Sequence, residues 1–174
     1  MAHLHTEMYI KRPILDLVDR EFGSILESPQ SRTGCPPREF KWTIFNVPFW
    51  ADFAYRIKRG GWLFIEDDSK GTCLSNLLKY AAWIIETKPE MPVYLIHIIS
   101  PGDHGWVRLC CWEGQRLSRE ILNFTHVVIP TPNWPEQNPQ WLDSLRQEIE
   151  KIGLELTNKH QSVDSSTLNP QRSR

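Results

Sequence analysis

Residues 93–100 read VYLIHIIS, an apolar run of strand length interrupted only by His97. A strand apolar at both parities must be covered on both faces, so the chain needs a layer of structure on each side of a sheet. The segment before it, LSNLLKYAAWIIETK (Leu74 to Lys88), carries Leu74, Leu77, Leu78, Ala81, Ile84 and Ile85 at helical spacing. Ser75 is a candidate cap for it, and Pro89 and Pro92 bracket the turn that follows. A helix leading into a doubly buried strand is the pattern of a crossover between parallel neighbours.

The parallel neighbour is expected upstream. FKWTIFNV (Phe40 to Val47), WADFAYRI (Trp50 to Ile57) and WLFIED read as three short strands in succession, an antiparallel meander. Gly60-Gly61 supplies the positive φ that a tight hairpin requires. Ahead of the meander, Pro13 can open a helix. Ile14, Leu17, Val18, Phe22, Ile25 and Leu26 give that helix an apolar face to about Glu27, and SPQSRTGCPPRE is a loop.

Downstream, VRLCCWEGQRLSREIL reads as a helix and HVVIP as a short strand. Asn138 and Pro139 form a cap and first-turn pair for a last helix, lined by Leu142, Leu145, Ile149 and Ile152 and ended by Gly153. From Thr157 to Arg174 only Val163 and Leu168 are aliphatic, too little apolar surface to offset ordering. The expectation is one α/β (α+β) domain over residues 1–156, a mixed central sheet flanked by helices, and a disordered tail over 157–174.

The 174 residues carry a formal net charge of -1, so nucleic acid would be met by local basic patches and not by overall attraction. Arg56, Lys58 and Arg59 at the hairpin tip and Arg108, Arg116 and Arg119 on one helix are the candidates. Ordinary surface charge is the plainer reading of both. The four cysteines, Cys35, Cys73, Cys110 and Cys111, form no CxxC pair, and reduced thiols are expected. With no signal-like start and no membrane-length apolar run, the expected setting is cytoplasmic, away from membranes. Of the eight tryptophans, Trp42, Trp50, Trp62, Trp83, Trp106 and Trp112 are expected mostly in the core. Trp134 and Trp141 flank the last helix and would staple it either to the domain or to a second subunit of a homodimer.

The candidate chemistry lies where the third strand ends, in GGWLFIEDDSKG (Gly60 to Gly71). A period of two places Trp62, Phe64, Glu66 and Asp68 on one face. Asp52 lies on the neighbouring strand. With the turn near Gly60, opposite residues sum to about 119 to 121, which sets Asp52 across from the region of Glu66 to Asp68. Three converging carboxylates repel unless a cation neutralises them, and hard oxygen donors suit Mg²⁺ or Mn²⁺. Lys70, just past the strand, and Lys79, on the next helix, are the ammonium groups within reach of such a site. Solvated turn residues are the plain alternative for the acids. His97 reads as a core histidine, and His104, in PGDHG, lies in a loop from which it could reach a substrate.

An acid on the second strand, an acidic triplet on the third and a helix after it resemble the PD-(D/E)XK nuclease superfamily. The matching residues are Asp52 in WADFAY and Glu66 in FIEDDSK, and NLLKY is similar to the helix that follows the motif. The likeness spans roughly residues 10 to 100. Ala51 stands where the family has proline, and Asp68 stands where it has lysine, as in its E-X-D variants. Some members carry the working lysine on the following helix, where Lys79 matches; Asp68-Ser69-Lys70 is a second register of the motif. The resemblance implies a restriction-endonuclease-like α-β-β-β-α-β core and a Mg²⁺- or Mn²⁺-dependent nuclease, acting first on DNA and second on RNA. It implies Asp52, Glu66 and Asp68 as metal ligands, Asp68 alternatively as general base, and Lys79 or Lys70 to position water. Glu21 would be the extra acid some members carry. A non-catalytic module on the same fold, binding protein or nucleic acid, is the competing reading.

Overall fold

The structure, a computed structural model, describes residues 7–27, 38–44, 47–68, 72–99, 104–131 and 139–167. The chain is mixed α/β. Helix α1 spans Arg12–Leu17, with π-helical turns at Glu7–Lys11 and Val18–Phe22 on either side. The strands are β1 (Leu26–Glu27), β2 (Arg38–Ile44), β3 (Val47–Ile57), β4 (Trp62–Asp68), β5 (Val93–Ile99) and β6 (Phe124–Pro130). Helices α2 (Cys73–Thr87) and α3 (His104–Glu120) connect β4 to β5 and β5 to β6, and α4 (Gln140–Thr167) follows.

The sheet runs β1-β3-β4-β5-β6, with β2 also paired to β3. β3 is antiparallel to β1, β2 and β4, whereas β5 is parallel to both β4 and β6. The expected meander and helical crossover are both present. All seven residues of β5 are buried, as its unbroken apolar character requires.

Alternation divides the core in two. Leu63, Ile65, Tyr94, Ile96 and Ile98 face Ile14 and Phe22 from the first helical segment and Leu145, Ile149 and Leu156 of α4. Phe64, Leu95 and Ile99 face Leu77, Tyr80 and Ala81 of α2 and Cys110 and Leu117 of α3. Each buried aliphatic or aromatic side chain gains roughly 1.5–3 kcal/mol from leaving water, which offsets the ordering of the layers.

Several boundaries differ from the sequence reading. The first helical segment stops at Phe22, because Leu26 and Glu27 leave it to pair with Ile57 and Arg56. Ser75 does not cap α2; its hydroxyl donates to the Thr72 carbonyl, and Thr72 is the capping position. Gly153 does not end α4, which continues to Thr167. A Cβ at Gly153 would lie 2.9 Å from Ile25 Cδ1, so the missing side chain serves close packing. The tail expected to be disordered from Thr157 therefore overlaps helix as far as Thr167. Trp50, Trp106 and Trp112 are exposed, not core. Trp141 is buried within the domain, the first of the two roles open to it. Trp134 and Cys35 lie outside the described residues, and Cys73, Cys110 and Cys111 are in the thiol form. Among the described residues no helix is long and apolar enough to cross a membrane.

α3 lies against β6 at one contact with no tolerance. A Cβ added at Gly114 would sit 1.7 Å from His126 Nδ1. Gly114→Ala should therefore cost about 1–3 kcal/mol through overpacking, despite alanine's better helix propensity. Chemical denaturation reads this directly, and an unchanged midpoint would mean that α3 does not pack on His126.

Candidate active site

The β3–β4 ladder runs from Arg56↔Trp62 to Phe53↔Ile65, so opposite residues sum to 118. That register, one short of the expected sum of about 119 to 121, sets Asp52 against Glu66, the near end of the stretch expected. Asp52 itself lies just past the last paired residue. Its Oδ2 accepts the Asp67 backbone N–H at 2.9 Å, taking over from a strand partner where the two strands part. Its backbone N–H points at Glu66 Oε2, 3.5 Å away. Lys11, from the turn before α1, reaches Asp52 Oδ1 at 2.7 Å.

Glu66 and Asp68 follow Phe64 on the α2 side of the sheet, as a period of two dictates. Each is only 4% exposed. The Tyr80 ring packs on Phe64, with centroids 5.0 Å apart, and its hydroxyl donates to Glu66 Oε1. Asp68 Oδ1 accepts from Thr72 Oγ1 at 2.6 Å and from Asn76 Nδ2 at 2.8 Å. Lys79 Nζ donates to Asn76 Oδ1 at 2.9 Å and so stands one residue removed from Asp68. α2 thus directs three of its first eight residues, Asn76, Lys79 and Tyr80, toward the carboxylates.

Burial pushes the Glu66 carboxyl up to about 8; the charges of Asp52 and Asp68 add to this, and the Tyr80 hydroxyl opposes it. Burial likewise raises Asp68, against the hydrogen bonds from Thr72 and Asn76. The mutual influence of the three acids places them in one electrostatic cluster. Their oxygens are hard donors, the chemistry that suits a hard divalent cation.

The sequence grouped Asp52, Glu66, Asp68 and Lys79; the structure sets Asp52 beside Glu66 and links Lys79 to Asp68 through Asn76, but among the described residues the mutual spacing of a metal-ligand set is met by His97, Cys110 and His126 and not by the three carboxylates. Lys70 and the side chain of His104 lie outside the described residues. Glu21 is not part of the cluster; it pairs with Arg146 of α4 at 2.7 Å. Arg116 is held by Glu113 and Glu120, which removes it from a basic face. Two groups were missed. Lys11 precedes the apolar stripe of the first helical segment, and nothing local in the sequence ties it to Asp52. His97 is fully buried beside Glu66 in the β4–β5 register, with Nε2 3.1 Å from Asp68 Oδ2. The contact lacks hydrogen-bond alignment, so both buried atoms are without a hydrogen-bond partner. The one polar residue inside VYLIHIIS was the available signal for it.

Because Glu66 takes up its proton more readily when folded, the native state holds the extra proton between about pH 4.5 and 8. The Glu66 contribution to stability should therefore be greatest at the acidic end of that window, opposed below about pH 6.5 by His97 and His126, which burial holds neutral in the fold. It should fall as pH rises, by up to about 1 kcal/mol per pH unit in metal-free buffer. The difference between wild type and Glu66→Gln isolates this contribution, and it should shift against the wild type as pH rises, as measured by urea denaturation from pH 5 to 8. A difference that does not change with pH across this range would contradict the assignment.

No protein-family model matches the chain, and neither does any curated protein or solved structure. The functional reading accordingly rests on the residues themselves.

Proposed function

We propose that this chain is a divalent-metal-dependent phosphodiesterase of the nuclease type, on a restriction-endonuclease-like version of its α/β fold. The observation that carries the reading is the placement of Asp52, Glu66 and Asp68 at the neighbouring ends where β3 and β4 part, with Lys79 linked to Asp68 through Asn76. The helix, three antiparallel strands, helix and parallel strand, in that order, support it. DNA as first substrate and RNA as second come from the resemblance of WADFAY and FIEDDSK to the PD-(D/E)XK nucleases.

In this reading Asp52 and Glu66 hold Mg²⁺ or Mn²⁺, and Asp68 completes or orients the set. The ion supplies Lewis acidity toward a phosphoryl oxygen and toward an attacking water. Tyr80 fixes one Glu66 oxygen so that the other is presented toward Asp52. Lys79 is exposed enough to meet a substrate phosphate, and its ammonium stabilises charge that develops on the phosphoryl group. Lys11 neutralises Asp52 in the absence of an ion and would give up that contact on loading. The same contact favours a second reading, a module whose acids are already compensated and which binds protein or nucleic acid without cleaving it.

Asp52→Ala and Glu66→Ala should each reduce Mg²⁺- or Mn²⁺-dependent cleavage of DNA by at least about 100-fold while leaving the circular dichroism spectrum unchanged. Lys79→Ala should reduce the rate and leave Mn²⁺ binding, measured calorimetrically, intact. A double alanine variant that cleaves at the wild-type rate would remove the active-site assignment. A wild-type chain that binds no Mn²⁺ would leave the non-catalytic module as the reading.

A further inference from the structure

Behind the carboxylates lies a second cluster of different chemistry. His97 Nδ1 of β5, Cys110 Sγ of α3 and His126 Nε2 of β6 all lie within 4.8 Å of one another. His97 and Cys110 are fully buried. We infer that His97, Cys110 and His126 form a binding site for a zinc-class divalent ion, distinct from the hard-cation site of Asp52 and Glu66.

Two imidazoles and a thiol are borderline and soft ligands, which select zinc over magnesium. Three separate elements bring them together, so the cluster is a product of tertiary packing and not of neighbours along one helix.

His97 Nδ1 is 3.7 Å from Cys110 Sγ and 2.8 Å from His126 Nε2. Tetrahedral zinc with bonds of about 2.0–2.1 Å to nitrogen and 2.3 Å to sulfur sets its nitrogens about 3.3 Å apart and nitrogen from sulfur about 3.6 Å. The nitrogen–sulfur spacing is already that of a zinc site. The two imidazoles, hydrogen-bonded to each other as they stand, need to part by about half an ångström.

Asp68 Oδ2 sits 3.1 Å from the far nitrogen of His97, the arrangement in which a carboxylate fixes the tautomer of a ligating histidine. That nitrogen and that oxygen, both buried, have no hydrogen-bond partner as they stand, and a slight turn of the ring on loading would align them. Cys73, at the start of α2, lies beside Cys110, and its thiol donates to the Trp106 carbonyl at 3.9 Å. Gly114 leaves the space that lets His126 enter. On binding, the Cys110 S–H bond breaks; the thiolate keeps the electron pair for the metal and the proton passes to solvent, with no change of oxidation state.

The test is metal content and spectroscopy of the full-length chain, with no cleavage assay. Protein purified without chelator and dialysed should hold about one zinc per chain by mass spectrometry of the metal. Replacement with Co²⁺ should give the visible bands of a tetrahedral site and a near-ultraviolet sulfur-to-cobalt band. Cys110→Ser should abolish the sulfur band, His126→Gln should lower retained zinc at least 10-fold, and Cys111→Ser and Asp52→Ala should change neither. Should Cys110→Ser fail to fold, zinc protection of the wild-type Cys110 thiol from alkylation, located by peptide mass, takes its place. A folded wild-type chain that retains no zinc and gives no cobalt spectrum would overturn the site. So would a sulfur band that persists in Cys110→Ser, or zinc that leaves Cys110 as reactive as before. Because Asp52→Ala is expected to keep the cobalt spectrum, failure here is separable from failure of the proposed nuclease activity.

Discussion

Burying Glu66, Asp68 and His97 in the middle of an apolar sheet is the costly step around which the structure is arranged. Each sits where strand alternation would otherwise place an aliphatic side chain against α2 or α3. An unpaired polar group in such a place costs several kcal/mol, and a lone charge costs more. The neighbours answer that cost one by one. Tyr80 donates to Glu66, Thr72 and Asn76 donate to Asp68, and Lys11 meets Asp52 at the rim. Even so the burial of Glu66 holds its proton well above the ordinary carboxylate range. A domain selected only for stability would gain by replacing such a cluster with aliphatic residues.

What could be read from the sequence follows from what is local. The doubly buried β5, the amphipathic α2 and the Gly60-Gly61 hairpin announce themselves through period and turn chemistry, and with them come the grouping of Asp52, Glu66 and Asp68. The misplaced boundaries are those that tertiary contact decides. Leu26 keeps helical phase with Phe22, yet it leaves the helix because β3 has an open edge opposite Ile57. Gly153 has the look of a helix stop, yet α4 passes through it because Ile25 needs the space. Trp106 and Trp112 lie on the solvent side of α3, where no apolar period could have placed them in the core.

The histidines show the same limit from the functional side. His97 alone in an apolar strand reads as a satisfied core residue, because its partners are 13 and 29 residues away along the chain. Only the parallel order β4-β5-β6 sets Asp68, His97 and His126 side by side. The register that pairs Glu66 with His97 and His97 with Val128 makes Asp68 and His126 diagonal neighbours of that histidine on one face. No spacing within a single motif could have indicated it.

The geometry also ranks the three carboxylates. A carboxylate offers about four lone-pair positions. Asp68 commits Oδ1 to Thr72 and Asn76 and turns Oδ2 toward His97. Glu66 commits one oxygen to Tyr80 and turns the other to the Asp52 backbone at the long distance of 3.5 Å, a contact easily exchanged. Asp52 is the most accessible of the three, and its Lys11 partner sits on a flexible stem. A hard cation would therefore find its free donors on Asp52 and Glu66. Asp68 has Oδ1 taken up by two donors and Oδ2 buried against His97, and is better placed to hold its neighbours in position. Its two oxygens face opposite ways, one toward α2 with Lys79 and one toward His97. Asp68 is thus the residue through which the carboxylate cluster and the imidazole–thiol cluster are mechanically joined.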